Sequence, residues 1–322
     1  MTLRRLGKSS ILITPLGMGC WPITGITSVD VNESDSLDTI KAAFDAGINF
    51  FDTAYCYGFD GESERMIARV LGSLRNDLVL ATKGGIHWES GKQARCGRPE
   101  TLRRQCDESL RRLRTDRIDL YYLHAPDPLV PIEESAGAIA ELIHQGKVLT
   151  AGLSNANTEQ LARFHAVCPL TAYQPHYNML QREIEEAQLP WCVEHEVAVV
   201  VYWPLMKGLL AGHLPRDYVF DPKDGRRKYP MFSGDEWQKN QDFLDVLRSM
   251  SADMNKPVAQ IVLNWTIQRT GITAALCGAK RPHQIRENAE TLRWSLTSDQ
   301  IARIDAAIAA RGPIVSKSAV SS

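Results

Sequence analysis

The chain alternates between short apolar runs and longer segments in which apolar residues recur every three or four positions. The runs TPLGMGCW, NFFDTA, LVLATK, DLYYLH, LTAGLSN, LTAYQPHYN, VAVVVYWPL and TAALCGAK read as strands, being rich in β-branched, aromatic and Leu residues and too short for helices. Between them, residues 36–46, 62–74, 98–113, 131–144, 158–165, 183–195, 257–270 and 282–291 carry helical spacing, with Thr158 and Pro282 supplying a cap and an N1 proline. Eight strands, each followed by a helix, predict an α/β protein built as a closed (β/α)8 TIM barrel rather than an open doubly wound sheet. The segment RRLGKSSILI (4–13) predicts an N-terminal hairpin capping the barrel bottom, and 300–311 a C-terminal extra helix. Residues 213–240, rich in Pro, Asp, Arg and Lys, predict a loop after strand seven that is long enough to be functional. Residues 1–312 are expected to form one barrel domain, followed by a disordered tail at 313–322.

Composition narrows the function. A chain of 322 residues with 44% hydrophobic content can bury the core of one large barrel. A net charge of −1 supplies no general attraction to nucleic acid or an anionic membrane, so neither is expected as a partner. No run of 18 apolar residues occurs, and MTLRRLG lacks the apolar segment of a signal peptide. The seven cysteines are odd in number and lack CxxC spacing. Reduced thiols, a cytoplasmic location and no metal are the expectations that follow. The sequence leaves the oligomeric state open.

Ionisable residues end three successive runs. Asp52 closes NFFD, Lys83 closes LVLATK and His124 follows DLYYL, at intervals of one strand plus one returning helix; Tyr57 follows Asp52 closely in DTAYCYG. Singly, each is an ordinary rim or packing residue. On neighbouring strand ends of a barrel they converge where such folds carry their sites. Together they suit reduction of a carbonyl, which needs a proton donor beside the oxygen on which charge develops. Tyr57 can be that donor. Lys83 would make its phenol more acidic, Asp52 would hold Lys83 charged, and His124 would donate a hydrogen bond to the same oxygen.

The hydride side reads less directly. No GxGxxG opens a helix after a strand, so a Rossmann site is not expected. Ser154, Asn155 and Gln174, at the ends of strands five and six, offer amide and hydroxyl groups suited to a neutral amide ligand. Tyr202, ending strand seven, offers a face on which a planar ring can stack. Gly278 and the helix starting near Pro282, with Lys280 and Arg281 beside it, suit a phosphate. Trp21, Tyr55 and Trp88, with Asp127, are the candidate walls of the substrate pocket, the aromatic residues suiting an apolar or planar carbonyl.

The segments GINFFDTAYCYG with GESE, LATKGG, IDLYYLH, GKVLTAGLSN, YQPHYN, VYWPLMKGLLAG and GAKRPHQIRENA resemble the aldo-keto reductase family from Leu6 to about Leu296. The resemblance implies reversible reduction of small-molecule aldehydes or ketones with NADPH/NADP+ as cofactor, NADH being an alternative. It implies Tyr57 as acid, supported by Asp52, Lys83 and His124. It further implies cofactor contacts at Ser154, Asn155, Gln174 and Tyr202; at Trp203, Pro204, Leu205, Gly208 and Arg226; and at Gly278, Lys280, Gln284, Glu287 and Asn288. Gln284 stands where some relatives carry arginine, and His213 where many carry lysine. The potassium-channel β-subunits share this barrel, so an NADPH-binding redox-sensing accessory role is the alternative that the motifs admit.

Overall fold

A computed structural model describes residues 2–26 and 30–314. Of the expected tail, residues 315–322 lie outside the described residues. Eight parallel strands close into a barrel in sequence order: β1 (Leu16–Gly19), β2 (Phe50–Asp52), β3 (Val79–Gly84), β4 (Ile118–Leu123), β5 (Val148–Ser154), β6 (Leu170–Gln174), β7 (Ala198–Val201) and β8 (Ile272–Cys277). Every predicted run overlaps its strand, to within one residue at the ends. The surrounding helices are α1 (Glu33–Asp45), α2 (Glu62–Leu71), α3 (Pro99–Leu113), α4 (Ile132–His144), α5 (Thr158–Val167), α6 (Gln188–Glu194), α7 (Gly234–Met254), α8 (Val258–Gln268), α9 (Pro282–Ala289) and α10 (Ser298–Arg311).

Strand periodicity sorts the core into two parts. Phe50, Val79, Ala81, Leu120, Tyr122, Ala172, Ala198, Val200, Ala274 and Leu276 point inward and form one cluster. Their outward neighbours, among them Phe51, Leu80, Tyr121, Leu123, Tyr173, Val199 and Val201, meet the helices in a second. Space inside is tight: a Cβ on Gly152 would come within 2.2 Å of the Tyr122 ring. At the bottom, Arg4–Arg5 pairs antiparallel with Leu12–Ile13. This hairpin pushes Leu6 and Ile13, both fully buried, into the interior cluster. Arg4 ties it to β8 by donating to the carbonyls of Ile272 and Thr273 at 3.1 Å.

Three predictions about elements need correction. Helix α7, of 21 residues, begins inside the stretch read as loop. Its buried stripe, Trp237, Asn240, Gln241, Leu244 and Leu247, includes two amides that donate to loop carbonyls of Met231 and Leu214, so its apolar period is broken. The segment read as one helix over 183–195 is a 3-10 turn, Glu183–Glu185, followed by the short α6. Asn157 rather than Thr158 caps α5, in a reciprocal pair with Gln160. A further antiparallel hairpin, Ile86–Glu89 with Lys92–Arg95, follows β3. It turns on Ser90 and Gly91, at φ 49° and 77°, as a two-residue hairpin turn requires.

Removing the Leu6 side chain leaves a void in the barrel floor that rigid strands cannot close. Leu6→Ala is expected to cost about 2–5 kcal/mol, read as a lower melting temperature. An unchanged melting temperature would mean that the hairpin is not part of the core.

Candidate active site

The inward-facing rows continue upward into the site. Phe50 leads two residues on to Asp52; Val79 and Ala81 lead to Lys83; Leu120 and Tyr122 to His124; Ala172 to Gln174; and Ala198 and Val200 to Tyr202. The polar residues therefore form the top inward layer of the barrel. Gln174 lies directly opposite Ser154, whereas Asp52 lies opposite Ala81 and Lys83 opposite Tyr122, so Asp52, Lys83 and His124 are staggered by two residues from strand to strand.

Lys83 and Asp52 are both about 1% exposed, and the ammonium lies 2.5 Å from Asp52 Oδ1. Lys83 also donates to the Thr53 carbonyl at 2.7 Å and to the Tyr57 hydroxyl oxygen at 3.3 Å. Its donor capacity is thereby used. The other Asp52 oxygen accepts from Gln174 Nε2 at 2.7 Å. Burial lifts the Asp52 carboxyl above its usual value even against Lys83 and these hydrogen bonds.

The pKa of Tyr57 departs from expectation. Lys83 stands 4.7 Å from the centre of its ring, yet burial, reinforced by Asp52, holds the phenol well above its ordinary value. Desolvation of the phenolate outweighs the nearby ammonium, so Tyr57 rests protonated. An ammonium has no lone pair, so Lys83 must be the donor in their contact. The Tyr57 O–H remains free to donate elsewhere.

His124 is the opposite case. Burial, then the charges of Lys83 and Arg95, hold its pKa well below the usual value, leaving a neutral imidazole at neutral pH. Its Nδ1 lies 3.6 Å from Cys56 Sγ, and that sulfur accepts from Gln93 at 3.7 Å. Burial pushes the Cys56 thiol up to about 12, so the thiol keeps its proton. An S–H donating to Nδ1 assigns the ring proton to Nε2. The His124 ring lies edge-on to Tyr57 at 5.9 Å, and Trp21 lies edge-on to Tyr57 at 5.0 Å.

A second cluster adjoins the first. Ser154 Oγ donates to the Gln174 carbonyl at 2.8 Å. Asn155, held at φ 58°, donates to the His124 carbonyl and to Ser154 Oγ, both at 3.0 Å, and accepts from the Tyr202 hydroxyl at 2.6 Å. This donor and acceptor set is uncharged and suits a neutral carboxamide, and Tyr202 has its edge fixed and part of its surface exposed. Farther round, Pro204 is buried, Leu205 packs on the core, and Gly208 stands at φ 88°. Gly278 is exposed and Glu287 half-buried.

Other expected cofactor residues are engaged within the chain. Arg226 grips Asp224 through Nε and Nη2. Arg281 pairs with Asp35 at 3.1 Å. Gln284 Oε1 accepts from the amides of Lys280 and Arg281, shaping that turn. Asn288 is 5% exposed.

The three aromatic pocket candidates separate. Trp21 lies against Tyr57. Trp88 donates its indole N–H to the Cys56 and Gly58 carbonyls at 2.9 Å and stacks obliquely on Phe59 at 4.8 Å. Tyr55 is a correction: its hydroxyl donates to Glu108 on α3 at 2.6 Å and its ring lies beneath Arg112, away from the cluster around Tyr57. Asp127 accepts from the amides of Gly97 and Leu129.

Sequence reasoning overlooked Lys207. Its ammonium stands 3.8 Å from the Trp203 ring centre and 4.5 Å from that of Tyr229, and burial lowers its pKa to about 8. Trp203, Met206 and Lys207 all have positive φ, a crowded backbone that the run WPLMKG did not announce. Among the described residues no His/Cys/Asp/Glu group is placed to hold a metal, and no helix is long and apolar enough to cross a membrane.

The barrel and its rim cluster define a class, and the comparisons agree. The Aldo/keto reductase family matches residues 15–309, and the chain belongs to that family. It is 34% identical over 302 residues to aldo-keto reductase YhdN of Bacillus subtilis, covering 93% of this chain and 91% of that one. It is 32% identical over 308 residues to the NADH-specific methylglyoxal reductase of Escherichia coli, covering 91% and 94%. The solved glycerol dehydrogenase of Gluconobacter oxydans superposes with a TM-score of 0.90 at 33% identity over 99% of both chains. The holo form of an aldo-keto reductase from Bacillus halodurans does so with 0.78 at 28%, over 95% and 96%. The protein is an oxidoreductase acting on carbonyl or alcohol groups of small molecules with a nicotinamide cofactor. The relatives named here are reductases and dehydrogenases, not channel subunits, so the accessory reading gains no support from them.

Replacing Asp52 by Asn leaves the Lys83 ammonium buried without its counter-charge. Asp52→Asn is expected to lose about 3–5 kcal/mol of stability, measured by thermal unfolding. A variant as stable as the parent would mean that the ion pair does not hold the fold together.

Proposed function

We propose that the protein reduces aldehydes or ketones to alcohols reversibly, with Tyr57 as proton donor and NADP(H) as the favoured cofactor. The observation carrying this reading is the contact in which Lys83 Nζ donates to the Tyr57 oxygen, so that the O–H, which burial keeps in place, is unspent. When bound, the cofactor supplies the hydride. Tyr57 and the Nε2–H of His124 both donate to the carbonyl oxygen, fixing its position. As charge develops there, Tyr57 transfers its proton, and the adjacent ammonium stabilises the phenolate left behind. His124 is neutral and serves as hydrogen-bond donor rather than acid. In the oxidative direction the same phenolate takes the proton back.

Ser154, Asn155 and Gln174 hold the nicotinamide carboxamide in this reading, and Tyr202 supports its ring. Residues 203–208, Arg226 and the β8–α9 turn with Gly278, Lys280, Gln284, Glu287 and Asn288 hold the phosphates and adenosine. Lys207 adds an ammonium on the phosphate side. Gln284 is neutral, and Arg226 and Arg281 already have carboxylate partners, so the preference for NADPH over NADH is modest. Short oxygenated carbonyls, of the kind the named relatives handle, are the first substrates to try.

Tyr57→Phe removes the donated proton while keeping the ring. Turnover should fall by roughly 100-fold or more, with NADPH affinity, read by fluorescence titration, nearly unchanged. Wild-type turnover in that variant would rule out Tyr57 as the acid. Lys207 is a cation only below its pKa of about 8. NADPH affinity should therefore weaken roughly tenfold between pH 7 and 9, and Lys207→Met should flatten that slope. A slope identical in the variant would exclude Lys207 from phosphate binding.

A further inference from the structure

The hairpin after β3 presents one face to the site. Directly opposed residues of an antiparallel pair share a face. Ile86 opposes Arg95 and Trp88 opposes Gln93, so these four lie together, while His87, Glu89, Lys92 and Ala94 lie on the reverse. The first face meets the loop that carries Tyr57. Trp88 donates to the Cys56 and Gly58 carbonyls and Gln93 to Cys56 Sγ.

Arg95 stands at the base of that face. The next residue, Cys96, donates its amide to the Gly85 carbonyl at 2.9 Å, and the Gly84 carbonyl accepts from the His124 amide at 2.8 Å. Arg95 thus rises beside the strand end that carries His124, close enough for its charge to act on the imidazole. It is exposed, and no carboxylate among the described residues is ion-paired with it. Asp127, in the loop after β4, spends its oxygens on the amides of Gly97 and Leu129, and Glu89 lies on the opposite face of the hairpin. Arg226 and Arg281 on the cofactor side, by contrast, are both neutralised by carboxylates.

We infer that Arg95 determines specificity in this reaction, selecting aldehydes and ketones that carry an anionic group, a carboxylate or a phosphate, a few bonds from the carbonyl. The inference rests on Tyr57 and His124 holding the carbonyl oxygen. With that oxygen held, the remainder of a substrate extends over the mouth, where Trp21 provides a flat wall beside Tyr57 and Arg95 a positive end. Its planar fork of N–H donors matches both anions.

The test compares NADPH-dependent turnover of benzaldehyde, 4-carboxybenzaldehyde and 4-formylphenyl phosphate by the full chain and by its Arg95→Gln and Arg95→Lys variants. Arg95→Gln should lower kcat/KM for the anionic aldehydes about tenfold or more, chiefly through KM, with benzaldehyde changed by less than about twofold. Arg95→Lys, which keeps the charge, should recover part of the loss. A loss for one anion alone identifies the carboxylate or the phosphate as the group selected. An equal loss on all three aldehydes would overturn the inference, since Arg95 would then act through His124; so would no loss on any. A wild-type protein that reduces benzaldehyde but neither anionic aldehyde removes the inference and leaves the carbonyl-reducing reading intact. One that oxidises NADPH with short oxygenated carbonyls but with none of these three removes the inference alone; one that oxidises it with no carbonyl of either kind removes both.

Discussion

The buried ion pair between Lys83 and Asp52 is the constraint on which the rest of the site depends. Two charges at the top of an apolar barrel are costly to desolvate, and a buried pair is tolerated only when its remaining hydrogen-bonding capacity is met. Here it is met from one loop and one further strand: the Thr53 carbonyl and Tyr57 oxygen complete the ammonium, and Gln174 completes the carboxylate. Satisfying the pair therefore fixes the position of the phenol. It also joins the ion pair to the uncharged cluster of Ser154, Asn155 and Tyr202 through Gln174, which belongs to both.

Burial has opposite chemical results on the two groups facing the carbonyl position. It raises Tyr57, which keeps its proton, and lowers His124, which loses one. The low-polarity mouth thus separates an acid from a neutral donor, although in water the imidazolium would be by far the stronger acid of the two. The expectation that Lys83 acidifies Tyr57 captured one contribution and missed the larger one, because a strand sequence does not reveal how completely its end is desolvated.

Legibility followed the strength of the local pattern. Strands covered on both faces read as continuous apolar runs, and all eight were visible with the residues ending them. The parity that makes Asp52, Lys83 and His124 one inward layer was hidden, because outward positions are equally apolar. Helix α7 was hidden by Asn240 and Gln241, amides buried to serve loop carbonyls. The second hairpin was signalled only by Ser90-Gly91 between short polar strands, and with it went Gln93 and Arg95. Partners distant in sequence were beyond reach: Tyr55 turns to Glu108, and Arg281 to Asp35. Lys207 lay in a quoted segment but looked like any surface lysine until the rings of Trp203 and Tyr229 enclosed it.

The most direct measurement is a fluorescence titration of the full chain with NADPH, followed by single-turnover oxidation of the bound cofactor by an excess of aldehyde. A site in which Lys83 and Asp52 pose Tyr57 as proton donor predicts saturable binding, then loss of the reduced-nicotinamide absorbance with one alcohol formed per cofactor consumed. Saturable binding with no oxidation by any member of a panel of aldehydes and ketones would contradict the account.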